Sequence, residues 1–342
     1  MRATVDRPGL DSQGRSPLIK IRRVRKGDLS KVRDVIEQAF GDFFERQMGT
    51  RPRLVFGGSQ YVHHRWLMEP WGCFVAEENE GKIVGVSVAV CWGTLGLFGP
   101  VAVLTPYQNQ KVAQQLVRAA QAFFDENRVT LQGVVTFPYS PKHLVLYQKF
   151  DFKPRALVAI TARSLERREP GPPAKPARGV PEIKRVSTYE EGKKKGLLTR
   201  LRTLTGRIYR GLDLTKEIEI VDGLALGDTL VLEKDGSLLG FAICHTPGVS
   251  EAPQGALYVK YLAIDPGKRR PEHFVQLLTA CEDFGANAAC QRVIAPVYTG
   301  YWKAYQTLLG SGYHVDMLML RMKRGKNDDY EREEDFVLDD WR

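Results

Sequence analysis

The sequence predicts an α+β protein made of two divergent copies of one unit. Three observations carry this. Strand-like and helix-like segments recur in the same order on both sides of a proline-rich run at 169–182. Anchor residues match between the halves at offsets of 155 to 161 residues: Gly85 with Gly240, Pro106 with Pro266, and Phe152 with Tyr313. A chain of 342 residues that is 43% apolar is also long enough to fill two ordinary cores.

The elements follow in order. In the first half, IKIRRV and then DLSKVRDVIEQAF read as a strand and an amphipathic helix. The stretch GCFVAEENEGKIVGVSVAVCW reads as a hairpin with a Glu-Gly turn, and GPVAVLTP as a strand. A helix over 107–126, the strand GVVTF, the helix PKHLVLYQKFDF and a closing strand near 156–162 complete the unit. In the second half, PEIKRVS, a helical stretch from 189, and DTLVLEKDGSLLGFAICH with its Asp-Gly turn repeat that order. LYVKYLAIDP, a helix over 271–287, RVIAPV, the helix GYWKAYQTLLGSGY and the strand DMLMLRM finish it. The expected boundaries are a polar, disordered tail at 1–17, a first domain at 18–165, a proline-rich linker at 166–182 with five prolines inside 170–181, a second domain at 183–323 and an acidic tail at 324–342.

Composition excludes several classes. The sequence has no apolar run of 18 residues and no signal-peptide core at the N-terminus, so a cytoplasmic protein without membrane association is expected. Five scattered cysteines without a CxxC pair argue against a disulfide frame and against a metal site. The net charge of +10 is uneven: residues 326–342 hold eight acids and three bases, leaving +15 on the rest. That balance fits a nucleic acid, a phosphate-rich cofactor or a solvated basic surface. The segment 192–211 holds seven basic residues and no acid, but its only aromatic is Tyr209, so nucleic acid is the minor reading. The apolar residues of the acidic tail, Phe336, Val337, Leu338 and Trp341, point to docking on the protein rather than solvation.

The stretch VLTPYQNQKVAQQLV at 103–117 is where chemistry enters. A strand, a polar turn and the first turn of a helix present a row of backbone N–H groups, backed by the positive end of the helix, to an anion such as a phosphate. GPVAVLTPYQNQKVAQQLV resembles the acetyl-CoA-binding segment of GNAT-superfamily N-acetyltransferases, whose pattern is (Arg/Gln)-x-x-Gly-x-(Gly/Ala) after a strand. Gln108 and Ala113 match its ends, while Lys111 replaces the middle glycine. LYQKFDF at 146–152 resembles the family's Leu-Tyr-Glu-Lys-x-Gly-Phe, and the element order fits over 18–165 and 181–323.

The resemblance implies two tandem GNAT-like domains, each a mixed, mostly antiparallel sheet flanked by helices. It implies acetyl-CoA as co-substrate and a small-molecule or peptide amine as acceptor, with a homodimer left open. Tyr147 takes the place of the family's general acid. Val101, Ala102 and Val103 take the place of the strand that offers backbone groups to the pantetheine arm and thioester. Gln108, Asn109, Gln110, Lys111, Val112 and Ala113 form the pyrophosphate turn, with Lys111 directed outward. A non-catalytic acyl-CoA-binding or interaction module is the alternative, because the strand over 95–105 carries no acid to serve as base. Glu77, Glu78 and the pair His63-His64 are the other candidates for a base, each better explained as surface or helix-face residues. In the second copy Arg269, Glu272 and Phe274 fall on the positions of Gln108, Lys111 and Ala113, and Leu308 on that of Tyr147 with Tyr305 one turn earlier. An acid and a ring at those places oppose cofactor binding, so the second repeat is expected to be degenerate.

Overall fold

The computed structural model describes residues 18–51, 57–166, 179–325 and 330–342. The expected tail at 1–17 and most of the proline-rich linker lie outside the described residues. The first repeat runs β1 (Lys20–Arg23), α1 (Leu29–Met48), α2 (Tyr61–Met68), β2 (Cys73–Glu77), β3 (Ile83–Trp92), β4 (Leu95–Val103), α3 (Val112–Glu126), β5 (Leu131–Thr136), α4 (Pro141–Gln148) and β6 (Lys153–Ser164). The second repeats this as β7 (Glu182–Arg185), α5 (Glu191–Ile208), α6 (Thr215–Gly223), β8 (Gly227–Lys234), β9 (Ser237–His245), β10 (Ala256–Ile264), α7 (Pro271–Asn287), β11 (Arg292–Tyr298), α8 (Trp302–Gly310) and β12 (His314–Gly325). A short strand β13 (Val337–Asp339) follows.

The local reasons are legible. β3 is an almost unbroken apolar run because α1 and α3 both pack against it, burying nearly every residue. α1 buries Val32, Val35, Ile36 and Ala39 on one face and stops at Gly49, whose left-handed backbone (φ 71°) lets its N–H donate to the Glu45 carbonyl. α3 begins at Val112 rather than near 107. Asn109 and Lys111 both adopt left-handed backbone (φ 66° and 64°), so the chain turns through 108–111 before the helix can start.

All thirteen strands join one sheet, in the order β1-β2-β3-β4-β5-β12-β6-β11-β10-β9-β8-β7, with β13 on β10. The repeats exchange their closing strands. β6 pairs antiparallel with β11 of the second repeat, and β12 pairs antiparallel with β5 of the first. The two exchanged strands also pair with each other at the centre. Each repeat's sheet is therefore completed by the other, which ties the halves by main-chain hydrogen bonds. A tight crossing adds to this: Gly93 (φ 64°) lies so near the Gly211 carbonyl that a Cβ would come within 1.9 Å of it.

Candidate functional site

In the first repeat β4 and β5 pair in parallel through only three residues, Leu95 to Leu97, and then diverge. The gap opens into a cleft of about 770 Å³. Val101, Ala102 and Val103 of β4 lie along it, with Gln108, Asn109, Lys111, Val112 and Ala113 at the turn and Tyr147 on the facing helix α4. Of the ten residues singled out from the sequence, Gln110 alone is not on its wall; its amide side chain donates to the Pro106 carbonyl at 2.9 Å. A second cavity of about 200 Å³ adjoins the cleft, and Phe40, Val101, His143 and Tyr147 border both.

The turn has the donors an anion needs. Among the described residues no acceptor faces the backbone N–H groups of Asn109, Gln110 and Lys111, and the first amides of α3 lack partners by helix geometry. Gln108 locks the turn in place: its side chain donates to the Val103 carbonyl at 2.9 Å and accepts from the Lys142 ammonium at 2.8 Å. Lys111 is exposed. Its φ of 64° is one that glycine adopts freely and a residue with Cβ adopts at a cost of about 1 kcal/mol. Lys111→Gly is therefore expected to leave the melting temperature equal or slightly raised, and to change the acetyl-CoA dissociation constant by less than about tenfold, as removal of one exposed cation would; calorimetric titration checks this.

Sequence reading missed His143. It stands four residues before Tyr147 on α4, which places both on one helix face. Its ring lies among Phe43 and Phe137, with centroids 5.2 and 6.3 Å away, and its Nδ1 is buried without a hydrogen-bond partner among the described residues. Burial, with the Lys142 charge adding to it, pushes this imidazole down to about 4, so it is neutral at ordinary pH. Burial pushes the Tyr147 phenol well above its usual range, so it is protonated. The i, i+4 spacing was the available signal.

The other candidate bases sit elsewhere. Glu77 is held by Arg22 at 2.7 Å near the sheet edge, and Glu78 accepts from the Tyr107 hydroxyl at 2.5 Å. His63 contacts Gln60 at 2.8 Å, while His64 is buried between the repeats, 2.9 Å from Glu217 of α6 and 3.6 Å from Glu251. Burial opposes charge on His64, but the two carboxylates outweigh it and raise the imidazole to about 9. Against an unfolded value near 6.5, the protonated ring contributes stability that is complete below about pH 6.5 and lost as pH rises towards 9. Glu217 is depressed despite burial, chiefly by His64, so its contribution is lost in acid instead. Melting temperature is expected to fall between pH 6.5 and 9, and His64→Gln to flatten that limb; a pH series of thermal melts checks it.

The corresponding slot of the second repeat is filled. β10 and β11 also pair through three residues and diverge, but β13 from the acidic tail lies against β10 beyond that point. Asp335 reaches Arg269, the counterpart of Gln108, at 2.6 Å. Phe336 rests on Phe274, the counterpart of Ala113, with centroids 5.2 Å apart. Tyr305 packs on Trp302, 5.8 Å between centroids. The basic segment of α5 is largely ion-paired, with Lys194 to Asp222 at 2.7 Å, Arg200 to Glu233 at 2.6 Å and Arg207 to Asp265 at 2.6 Å. That is the solvated, paired face rather than a free basic surface.

Residues 69–154 match the family model described as an acetyltransferase (GNAT) domain. Solved structures share the whole architecture at low identity, which speaks to the fold alone. A putative acetyltransferase from Pyrococcus horikoshii is 13% identical with a TM-score of 0.64, over 94% of this chain and 95% of that one. A GCN5-related N-acetyltransferase from Sphaerobacter thermophilus is 11% identical with a TM-score of 0.58, over 91% and 98%. A tandem GNAT protein from the clavulanic acid biosynthesis pathway is 10% identical with a TM-score of 0.55, over 91% and 100%. No curated protein sequence matches the chain.

Proposed function

We propose that the chain, whose residues 69–154 match the GNAT acetyltransferase domain and whose second half repeats that fold, moves an acetyl group from acetyl-CoA to an amine, in the cytoplasm, using the first repeat. None of the described helices is long and apolar enough to cross a membrane. The observation that carries the reading is the meeting of two cavities at one helix face: a long cleft with unpartnered amides at its far end, and a compact pocket, joined at His143 and Tyr147.

The residues present fit acetyl-CoA. The amides of 109 to 113 would hold the pyrophosphate, and the backbone of Val101 to Val103 the pantetheine arm. When bound, acetyl-CoA supplies an activated thioester carbonyl. The amine sheds its proton to solvent as its nitrogen bonds to that carbonyl carbon, and His143, neutral and buried at the junction of the two cavities, orients the amine rather than keeping that proton. Tyr147 donates its phenolic proton to the sulfur as the carbon–sulfur bond breaks. Both groups are held in place by packing, so orientation supplies much of the acceleration.

The test is calorimetry and thermal melts with acetyl-CoA, followed by thiol release with a panel of amines. Binding with a raised melting temperature is expected, by about 2.7 kcal/mol of stabilisation at a hundred times the dissociation constant. No heat and no thermal shift at millimolar acetyl-CoA would exclude the assignment. Binding without thiol release would favour the non-catalytic acyl-CoA-binding module, the reading that the acid-free strand β4 supports.

A further inference from the structure

We propose that the tail strand gauges the acceptor: Asp340, Trp341 and Arg342 close the pocket beside Tyr147, with Trp341 setting its depth, so that the site takes compact monoamines carried on an apolar body. This rests on the acetyl-transfer reading for the word acceptor, but the wall itself is independent of it.

The pocket is walled by both repeats and by the tail. Phe98 and Tyr147 come from the first repeat, Tyr258 and Met319 from the second, and Trp341 from the tail. Trp341 is 1% exposed and cannot swing away easily. The buried Arg321 guanidinium lies 3.7 Å from its ring centre, and the ring passes so close to β5 that a Cβ on Gly133 would come within 2.3 Å of it. The residues before it are anchored: Asp339 takes a 2.6 Å contact from Arg321 and a 2.9 Å hydrogen bond from the Tyr330 hydroxyl, and β13 is laddered to β10. The segment that fills the second repeat's slot thus delivers a fixed wall to the first repeat's pocket.

Size and charge then select the guest. The cavity is about 200 Å³ and lined mainly by rings and aliphatic groups. At its polar end the carboxylates are already engaged: Glu251 by Arg65 at 2.8 Å and by Lys260 at 2.8 Å, Asp340 by Lys260 at 3.3 Å and by Arg342 at 2.8 Å. Arg65 and Arg342 balance Glu251 and Asp340 on that wall, and each carboxylate is already paired, so a second ammonium on the guest finds no free partner.

The experiment uses the full chain and two variants, Trp341→Ala and Trp341→Phe, with benzylamine, 2-(naphthyl)ethylamine and spermidine as probes. Thiol release gives kcat/KM, and calorimetric titration of each amine in the presence of CoA gives affinity without turnover. The unaltered chain is expected to prefer benzylamine to the naphthyl amine and to take spermidine worst. Trp341→Ala should raise the naphthyl-to-benzyl ratio about tenfold while moving the acetyl-CoA KM less than about twofold. Trp341→Phe should shift the same ratio less, and it keeps the test open if the alanine variant does not fold. An unchanged ratio in both folded variants, a preference for spermidine, or a change confined to the acetyl-CoA KM would overturn the gauge. If acetyl-CoA binds but no thiol is released, the catalytic reading fails and the amine affinities alone decide; amines that bind none of the proteins overturn the gauge itself.

Discussion

Removing residues 330–342 is expected to unfold the protein rather than trim it. The segment is short and acidic, but its apolar residues predict docking, and it buries Tyr330, Phe336, Leu338 and Trp341. It also neutralises three cations. Arg321, 0% exposed, pairs with Asp339 and with Glu331; Lys260, 3% exposed, pairs with Asp340; Arg269 pairs with Asp335. Stripping one partner from a buried ion pair costs about 3–5 kcal/mol, because the remaining charge is left in the interior. Deleting a large buried aromatic costs about as much again. Lys260 keeps Glu251 at 2.8 Å, but Arg321 loses both its carboxylates; that one pair and two such rings are about as large as the whole stability of an ordinary domain, about 5–15 kcal/mol. Circular dichroism should show no cooperative thermal transition for the shortened chain. A shortened chain that melts at the temperature of the full one would show that the tail is not structural.

How much of this could be read in the sequence depends on how local each feature is. The order of strands and helices in both repeats, the turn at 108–111 and the place of Tyr147 on α4 are written in contiguous stretches. The exchange of β6 and β12 is not local. An edge-completing strand carries the same apolar pattern whichever sheet it joins, and only register against β5 or β11 tells them apart. β13 spans three residues, too few for any period to register, so Phe336 to Leu338 stood out only as apolar residues among acids. α3 starts at Val112, later than the apolar period predicts, because Asn109 and Lys111 take left-handed backbone that their side chains do not announce. Buried polar groups were the hardest to foresee. His64, Arg65, Glu217, Glu251 and Lys260 come from both repeats, and each is ordinary in its own neighbourhood; only the fold turns them into one network. The equivalence of the slots follows from the pairing, since β4 with β5 and β10 with β11 diverge after the same three-residue ladder.

That equivalence also sets the sharpest test of which repeat works. Ala113→Phe copies into the first repeat the residue that the second repeat holds at the same place, where Phe274 is fully buried under Phe336. Ala113 lines the cleft at the start of α3, beside the amides that would hold pyrophosphate. A ring there occupies space the ligand needs, and overpacking of about 3 kcal/mol corresponds to about a hundredfold loss of acetyl-CoA affinity. The fold itself has little reason to suffer, because the ring would point into the cleft rather than the core. Tyr147→Phe is expected to act differently, lowering kcat by about a hundredfold with acetyl-CoA affinity kept, since it removes a proton donor and no packing volume. His143→Ala should also lower kcat. Tyr305→Phe should change little, because Tyr305 packs against Trp302 rather than on either cavity wall. The four variants separate cofactor space from proton transfer by calorimetry and steady-state kinetics on the same preparations. If Ala113→Phe binds acetyl-CoA normally while Tyr305→Phe loses turnover, the working slot is the second one, and the tail strand now lying in it would have to leave before each cycle.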